Sequence, residues 1–167
     1  MPTTIRPGTP ADFAPLMTRL AYSFSDRTPW HASFPEMFPD TVRPTDESMR
    51  QWLLAVDGGE IQAGLQIVPR PLQITRDVDL PASGLGNVFC YPPARNRGLM
   101  SALLVEAIAV MQRQGQALNL LGGDRLRYGR YGWEQAGTTR NLSLNAGMLR
   151  ADVRPVARAA QRDLERD

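Results

Sequence analysis

The chain has 167 residues, 43% of them hydrophobic and 22% charged, which suits one globular domain able to bury about 70% of its unfolded surface. The formal charge is +2, every positive side chain is Arg, and the arginines are scattered, so no block of like charge argues for nucleic acid or a membrane surface. A lone cysteine rules out an internal disulfide, no run approaches the about 18 apolar residues of a membrane span, and no signal-peptide pattern opens the chain; a soluble, reducing, cytoplasmic setting is expected.

Thr3 to Arg6 reads as a short edge-like strand. Thr9-Pro10-Ala11-Asp12 then supplies an N-cap, a first-turn proline and an acidic residue three positions on, a capping-box arrangement. Phe13, Leu16, Met17, Leu20 and Ala21 follow at the spacing of a helix with one buried face. From Tyr22 to Glu47 four prolines among aromatics and charges exclude long regular elements, with short helical turns allowed around Pro35 to Phe38. Trp52 to Val56 and Ile61 to Ile67 flank Asp57-Gly58-Gly59-Glu60 and predict a hairpin. Its second arm alternates apolar residues with Gln62, Gly64 and Gln66, the period of a strand with one covered face, until Pro69 and Pro71 end or bulge it.

Next, the apolar run Val88-Phe89-Cys90 breaks at Pro92-Pro93, crosses Arg95-Asn96-Arg97 and reaches Gly98 where a helical pattern begins, with Leu99, Leu103, Ala107, Val110 and Met111 on one side. A helix start exposes unpaired N–H groups and the positive end of a macrodipole, so a glycine-containing loop flanked by arginines suits a phosphate or pyrophosphate. Ala117 to Leu121 reads as a short buried strand closed by Gly122-Gly123, and Asp124 as the cap of a short helix carrying Arg125 to Tyr131. Trp133 onward and Thr138 to Leu144 are expected as closing strands, and Val153 to Arg166 as an Arg-rich helix after Pro155.

The stretch VFCYPPARNRGLMSALL resembles the central cofactor motif of the GCN5-related N-acetyltransferases (GNAT): strand, proline, Arg/Gln-x-x-Gly-x-Gly/Ala, helix. Met100 stands where the third small residue is usual, a departure typical of the branch resembling the enhanced intracellular survival acetyltransferases. Gly123-Asp124 followed by Tyr128-Gly129-Arg130-Tyr131-Gly132-Trp133 is similar to that branch's second signature. The resemblance implies an α/β (α+β) fold, a mixed, mostly antiparallel sheet of about six to seven strands flanked by helices and splayed at the central cofactor strands. It implies a GNAT domain over residues 1–150 and a tail over 151–167. That tail opens Val153-Arg154-Pro155, an echo of Ile5-Arg6-Pro7, as a second domain opens in larger members of the branch. Whether the chain is the first domain of a longer protein stays open.

The implied activity is transfer of an acetyl group from acetyl-CoA directly to a primary amine, on a small molecule or a peptide, without a metal. Arg95, Asn96, Arg97, Gly98, Leu99, Met100 and Ser101 would hold the pyrophosphate. Main-chain groups of Val88, Phe89 and Cys90, on a strand that bulges in related enzymes, would bond the pantetheine arm and polarise the thioester carbonyl. Tyr128 matches the family's usual tyrosine; an ordinary phenol, with a pKa of about 10, is protonated at neutral pH and can donate to a leaving thiolate. Its alternative role is a half-buried aromatic with a satisfied hydroxyl. Trp30, His31 and Phe34, with the carboxylates Asp26 and Glu36, are candidates for the acceptor wall, or else pin a loop to the body. The general base is open among His31, Asp26, Glu36 and Glu134. Cys90 reads as a structural cysteine, and His31 lacks the companions a metal site needs.

Two other functions compete. A non-catalytic domain of the same fold would keep the cleft as a CoA-binding or assembly module, and a small nucleotide-binding α/β module would need a parallel strand-helix repeat that the hairpin argues against. Family habit and an edge strand near the C-terminus are compatible with a homo-oligomer.

Overall fold

The computed structural model describes residues 3–24 and 33–136. Residues 1–134 make one compact unit and 135–167 a second. In chain order the elements of the first unit are β1 (Thr4–Pro7), α1 (Phe13–Phe24), α2 (Phe34–Met37), α3 (Asp46–Arg50), β2 (Trp52–Asp57), β3 (Glu60–Pro69), β4 (Leu72–Thr75), β5 (Val78–Leu80), β6 (Ala82–Cys90), α4 (Leu99–Arg113), β7 (Leu118–Leu121) and α5 (Arg125–Tyr128). The main sheet runs β1-β2-β3-β6-β7, and among the described residues β4 pairs with β5 in a separate two-stranded sheet. Neighbours in the main sheet are antiparallel except β6 and β7, whose parallel pairing requires the crossover that α4 supplies.

Apolar layers cover both faces. On one lie Leu53, Ala55, Leu65, Ile67 and Leu85 under Leu99, Leu103, Leu104 and Ala107 of α4. On the other, Leu54, Val56, Ile61 and Phe89 meet Leu16 and Leu20 of α1 together with Phe34, Val42 and Met49. Each fully buried leucine contributes about 2 kcal/mol relative to leaving it in water. Asp12 anchors the start of α1: its carboxylate accepts from Thr9 N at 2.8 Å, from Thr9 Oγ1 at 2.7 Å and from both terminal nitrogens of Arg6 at 2.7 and 2.8 Å. The Arg6 guanidinium, then the Thr9 donors, hold the Asp12 carboxyl well below the usual carboxylate range.

Several expectations need correction. Alternation in β3 does not mark a solvent face, because the segment from Phe34 to Arg50 covers it and Gln66 is 0% exposed. Ala21 is exposed although the helical spacing puts it on the buried face. β7 is not buried: Leu118 and Leu120 are 46% and 53% exposed, as expected where a strand has a described partner only at β6. Residues 133–136 take no regular secondary structure. The arm β4-β5 was not anticipated. The expectations for Thr138 to Leu144 and Val153 to Arg166 lie outside the described residues.

Candidate active site

β6 is interrupted in its middle. Ala63 and Gly64 of β3 face Cys90 and Phe89, but Gln66 faces Gly86, so β6 carries one more residue than its partner across that step. Such an insertion is a β-bulge, and it reverses which face later side chains take. Leu85 and Phe89, which regular alternation would place on one face, sit in opposite core layers. The turning residue is Asn87, at φ +51° in the left-handed region where asparagine is among the better tolerated side chains. On its other side β6 pairs with β7 only from Ala82 to Leu85, against Leu118 to Leu121. Past Leu85 the two strands part, leaving main-chain groups of residues 86–90 unpaired by β7.

The chain leaves β6 through a tight turn over Pro92–Ala94, closed by Ala94 N donating to Tyr91 O at 2.8 Å. Asn96 (φ +63°) and Gly98 (φ +75°) are left-handed, which turns the loop sharply into α4. Ala102 N donates to Gly98 O at 3.0 Å and is the first helical N–H so paired. Those of Leu99, Met100 and Ser101 precede it and, as in any helix start, have no intrahelical acceptor. The parted strand and the helix start together bound a cleft of about 380 Å3, within the size of small-molecule sites. Val88, Phe89 and Cys90 line one wall, and Arg95, Asn96, Gly98, Leu99, Met100 and Ser101 the anion-suited end. Ser23 and Phe24 from the end of α1, and Arg127 from α5, complete it.

Of the ten residues expected at the cofactor, nine therefore lie in one cleft. Arg97 does not: its guanidinium turns away to Asp57 Oδ2 at 2.5 Å and Thr3 Oγ1 at 3.4 Å, tying the loop to the β2-β3 turn and lowering the Asp57 carboxyl below its ordinary range. A different arginine stands nearer the helix start. Arg130 donates to Ser101 Oγ at 3.5 Å while its guanidinium lies 4.9 Å over the Tyr131 ring. Burial pushes the Cys90 thiol above its ordinary range despite Arg95 and Arg97, so it is a poor nucleophile.

The Tyr128 ring is buried at 7% exposure, laid against Gly123 and edge-on to Trp133 with centroids 6.2 Å apart. Trp133 is fixed by Nε1 donating to Asn119 Oδ1 at 2.8 Å, and Asn119 Nδ2 donates to Ser83 Oγ at 2.7 Å. The Tyr128 hydroxyl makes no hydrogen bond to a described residue. On the expected acceptor wall, Phe34 is core, 5.6 Å from the Phe24 ring and 6.3 Å from Phe38. The Glu36 carboxylate accepts from Ser33 N at 2.6 Å, which caps α2 and lowers its pKa. Glu134 pairs with Arg125 at 3.4 Å. Asp26, Trp30 and His31 lie outside the described residues. Among those described, no three His, Cys, Asp or Glu gather as a metal site, and no helix is long and apolar enough to cross a membrane.

The family model of the acetyltransferase (GNAT) domain matches residues 4–136. The chain belongs to this family. Solved GNAT-like structures share its fold. A conserved protein of unknown function from Enterococcus faecalis V583, described as a probable N-acyltransferase, is 22% identical with a TM-score of 0.67, over 81% of this chain and 33% of its own. A GNAT family acetyltransferase from Brucella melitensis in complex with acetyl-CoA is 20% identical with a TM-score of 0.66, over 80% of this chain and 84% of its own. Eis1 from Mycobacterium abscessus is 17% identical with a TM-score of 0.61, over 78% of this chain and 31% of its own. The GNAT domain described here thus spans about a third of the first and third of these proteins. A comparison with curated proteins gives no match.

In this GNAT domain, sequence reasoning missed Asn87, Gln66, Asn119, Ser23, Phe24, Arg127 and Arg130. Arg127 and Arg130 carried a signal, since they bracket Tyr128 in the second motif. The others act through long-range contacts that no local pattern announces.

Proposed function

We propose that the chain is an acetyl-CoA dependent N-acetyltransferase that moves an acetyl group to a primary amine by direct transfer in a ternary complex. The observation that carries this reading is the cleft in which the start of α4 opens onto the length of β6 that has parted from β7. The N–H groups of Leu99, Met100 and Ser101, with Arg95 beside them, would take a diphosphate, as helix N-termini do. Main-chain groups at Val88 to Cys90 would lie along the pantetheine arm and polarise the thioester carbonyl with fixed dipoles. Bound acetyl-CoA supplies the activated acetyl group. Tyr128 would donate the proton to the departing thiolate, its ring held by Trp133. The signature from Gly123 to Trp133 and the likeness to Eis1 support a place in the enhanced intracellular survival branch. A homo-oligomer in a cytoplasmic setting belongs to the same proposal.

A second reading is favoured by one observation: the Tyr128 ring packs against Gly123 and Trp133 rather than lining the cleft. On that reading the domain binds CoA, or keeps only its shape, as a structural module. A thiol-release assay over polyamines, aminoglycosides, amino acids and peptide N-termini separates the two. Turnover that falls at least tenfold in Tyr128→Phe, with acetyl-CoA affinity kept, supports the enzyme and the role of Tyr128. Unchanged turnover removes Tyr128 from the mechanism, and silence across the panel despite cofactor binding favours the module.

A further inference from the structure

A glutamine with no exposed surface stands in the middle of β3. Gln66 Nε2 donates to Thr41 O at 2.7 Å and to Gln51 Oε1 at 3.3 Å, and its Oε1 accepts from Asn87 Nδ2 at 2.8 Å. Both donors and the acceptor of the amide are therefore used, a condition without which a polar group costs stability when buried. The far end is anchored too. Thr41 O also accepts from Ser48 Oγ at 2.7 Å, and Ser48 Oγ accepts from Arg43 N at 3.0 Å.

An apolar side chain would fill the space of Gln66 without these requirements, so what the amide adds is direction. It points at the residue where β6 leaves its ladder. Gln66 faces Gly86, Gly64 faces Phe89, and Asn87 is the left-handed residue between those pairs. At the step where the backbone register is interrupted, a hydrogen bond from the Asn87 side-chain amide to that of Gln66 joins the two strands instead. The bulge it pins lies immediately before Val88, Phe89 and Cys90, which line the cleft. Were the bulge to slip by one residue, Phe89 would trade faces with its neighbours and the cleft wall would be rebuilt.

We propose that Asn87 and Gln66 act as an amide clamp that fixes the β6 bulge, and with it the main chain against which the thioester-bearing arm of acetyl-CoA lies. Both are positioning residues, and the inference rests on the cofactor reading above. It makes a split prediction. The diphosphate end of the cleft is built by the start of α4 and is independent of the clamp, whereas the arm end depends on it.

The test compares the wild-type chain with Asn87→Gly, which keeps the left-handed backbone accessible and removes only the amide. Calorimetry is run with acetyl-CoA and with 3′-phospho-ADP, the nucleotide end alone. In the variant, acetyl-CoA affinity falls about tenfold while 3′-phospho-ADP affinity stays within about twofold. Amide hydrogen exchange of the ligand-free chain reads the clamp without the cofactor: the N–H groups of residues 88–90 exchange faster in the variant, and those of β2 do not. Gln66→Met gives the same split, and the double variant loses no more than the worse single one; should Gln66→Met fail to fold, Asn87→Gly decides alone. Equal loss for both probes, or no change in affinity and exchange, overturns the clamp. A wild-type chain that binds neither probe overturns the cofactor reading, and unchanged exchange in the variant then overturns the clamp as well.

Discussion

Gly64→Ala tests the reversed face of Phe89 directly. A Cβ on Gly64 would lie 2.7 Å from Phe89 Cε1, 3.0 Å from Leu54 Cδ2 and 3.2 Å from Leu53 O. Carbon atoms in good contact stand about 3.5–4.0 Å apart, so the first contact is a clash of nearly an ångström. Leu53 O belongs to the backbone of β2 and cannot yield, and the Phe89 ring, 3% exposed, has nowhere to swing. Overpacking of this kind costs about 1–3 kcal/mol, and replacing glycine returns about 0.5 kcal/mol by stiffening the unfolded chain. The net loss expected is about 1.5 kcal/mol, or about 3–6 °C in Tm for a chain of this size. Urea denaturation of both proteins reads it, and Phe89→Leu provides the control. Alone, that change leaves a cavity and destabilises by about 1–2 kcal/mol. Combined with Gly64→Ala it relieves the clash, so the two changes couple by more than about 1 kcal/mol. A Gly64→Ala protein as stable as wild type, or strictly additive changes, would refute the packing of Phe89 over Gly64 and the bulge that puts it there.

Ser101→Glu separates folding from binding. A carboxylate in the first turn of α4 favours the helix by about 0.3–1 kcal/mol, so Tm holds or rises, yet in the cleft it repels a diphosphate and acetyl-CoA affinity falls at least about a hundredfold; unchanged affinity would move the anion site elsewhere. Asp12 should set the acid limb of stability. Its folded-state pKa is depressed, so the contribution is complete above the unfolded value of about 3.9 and is lost as pH falls below it. With the Arg6 side chain 39% exposed the pair is partly screened, and about 1–2 kcal/mol is expected. Asp12→Asn should therefore lose that amount at pH 7 and unfold with a shallower dependence between pH 5 and 2, and an unaltered acid limb would contradict it.

What the sequence made legible was local. Alternation marked β3, the turn Asp57-Gly58-Gly59-Glu60 marked the hairpin it makes with β2, the 3.6-residue spacing marked α1 and α4, and Thr9 with Asp12 marked a helix entry. The loop from Arg95 to Ser101 could be read because its glycine, its arginines and the apolar stripe of the following helix are adjacent in the chain. What it concealed depends on distance. Gln66 looks like a solvent-facing strand residue until the layer from Phe34 to Met49 covers it. Arg97 looks like a second cation for the cleft until Asp57, forty residues earlier, claims it. Nothing local separates Asn87 at a bulge from a polar residue in a regular strand. The arm β4-β5 escaped because its strands are short and largely exposed, so burial imposes no alternation on them.

The proposed function stands on one receptor, built from the start of α4 and the parted edge of β6, for a diphosphate and its acyl-bearing arm. Isothermal calorimetry of acetyl-CoA into the folded 167-residue chain measures it most directly. Saturable heat at one site per chain is expected, with affinity at least about a hundredfold lower in Ser101→Glu and weaker for the nucleotide end alone. A chain folded by circular dichroism that gives no heat at millimolar acetyl-CoA, or the same heat from the Ser101→Glu variant, would contradict it.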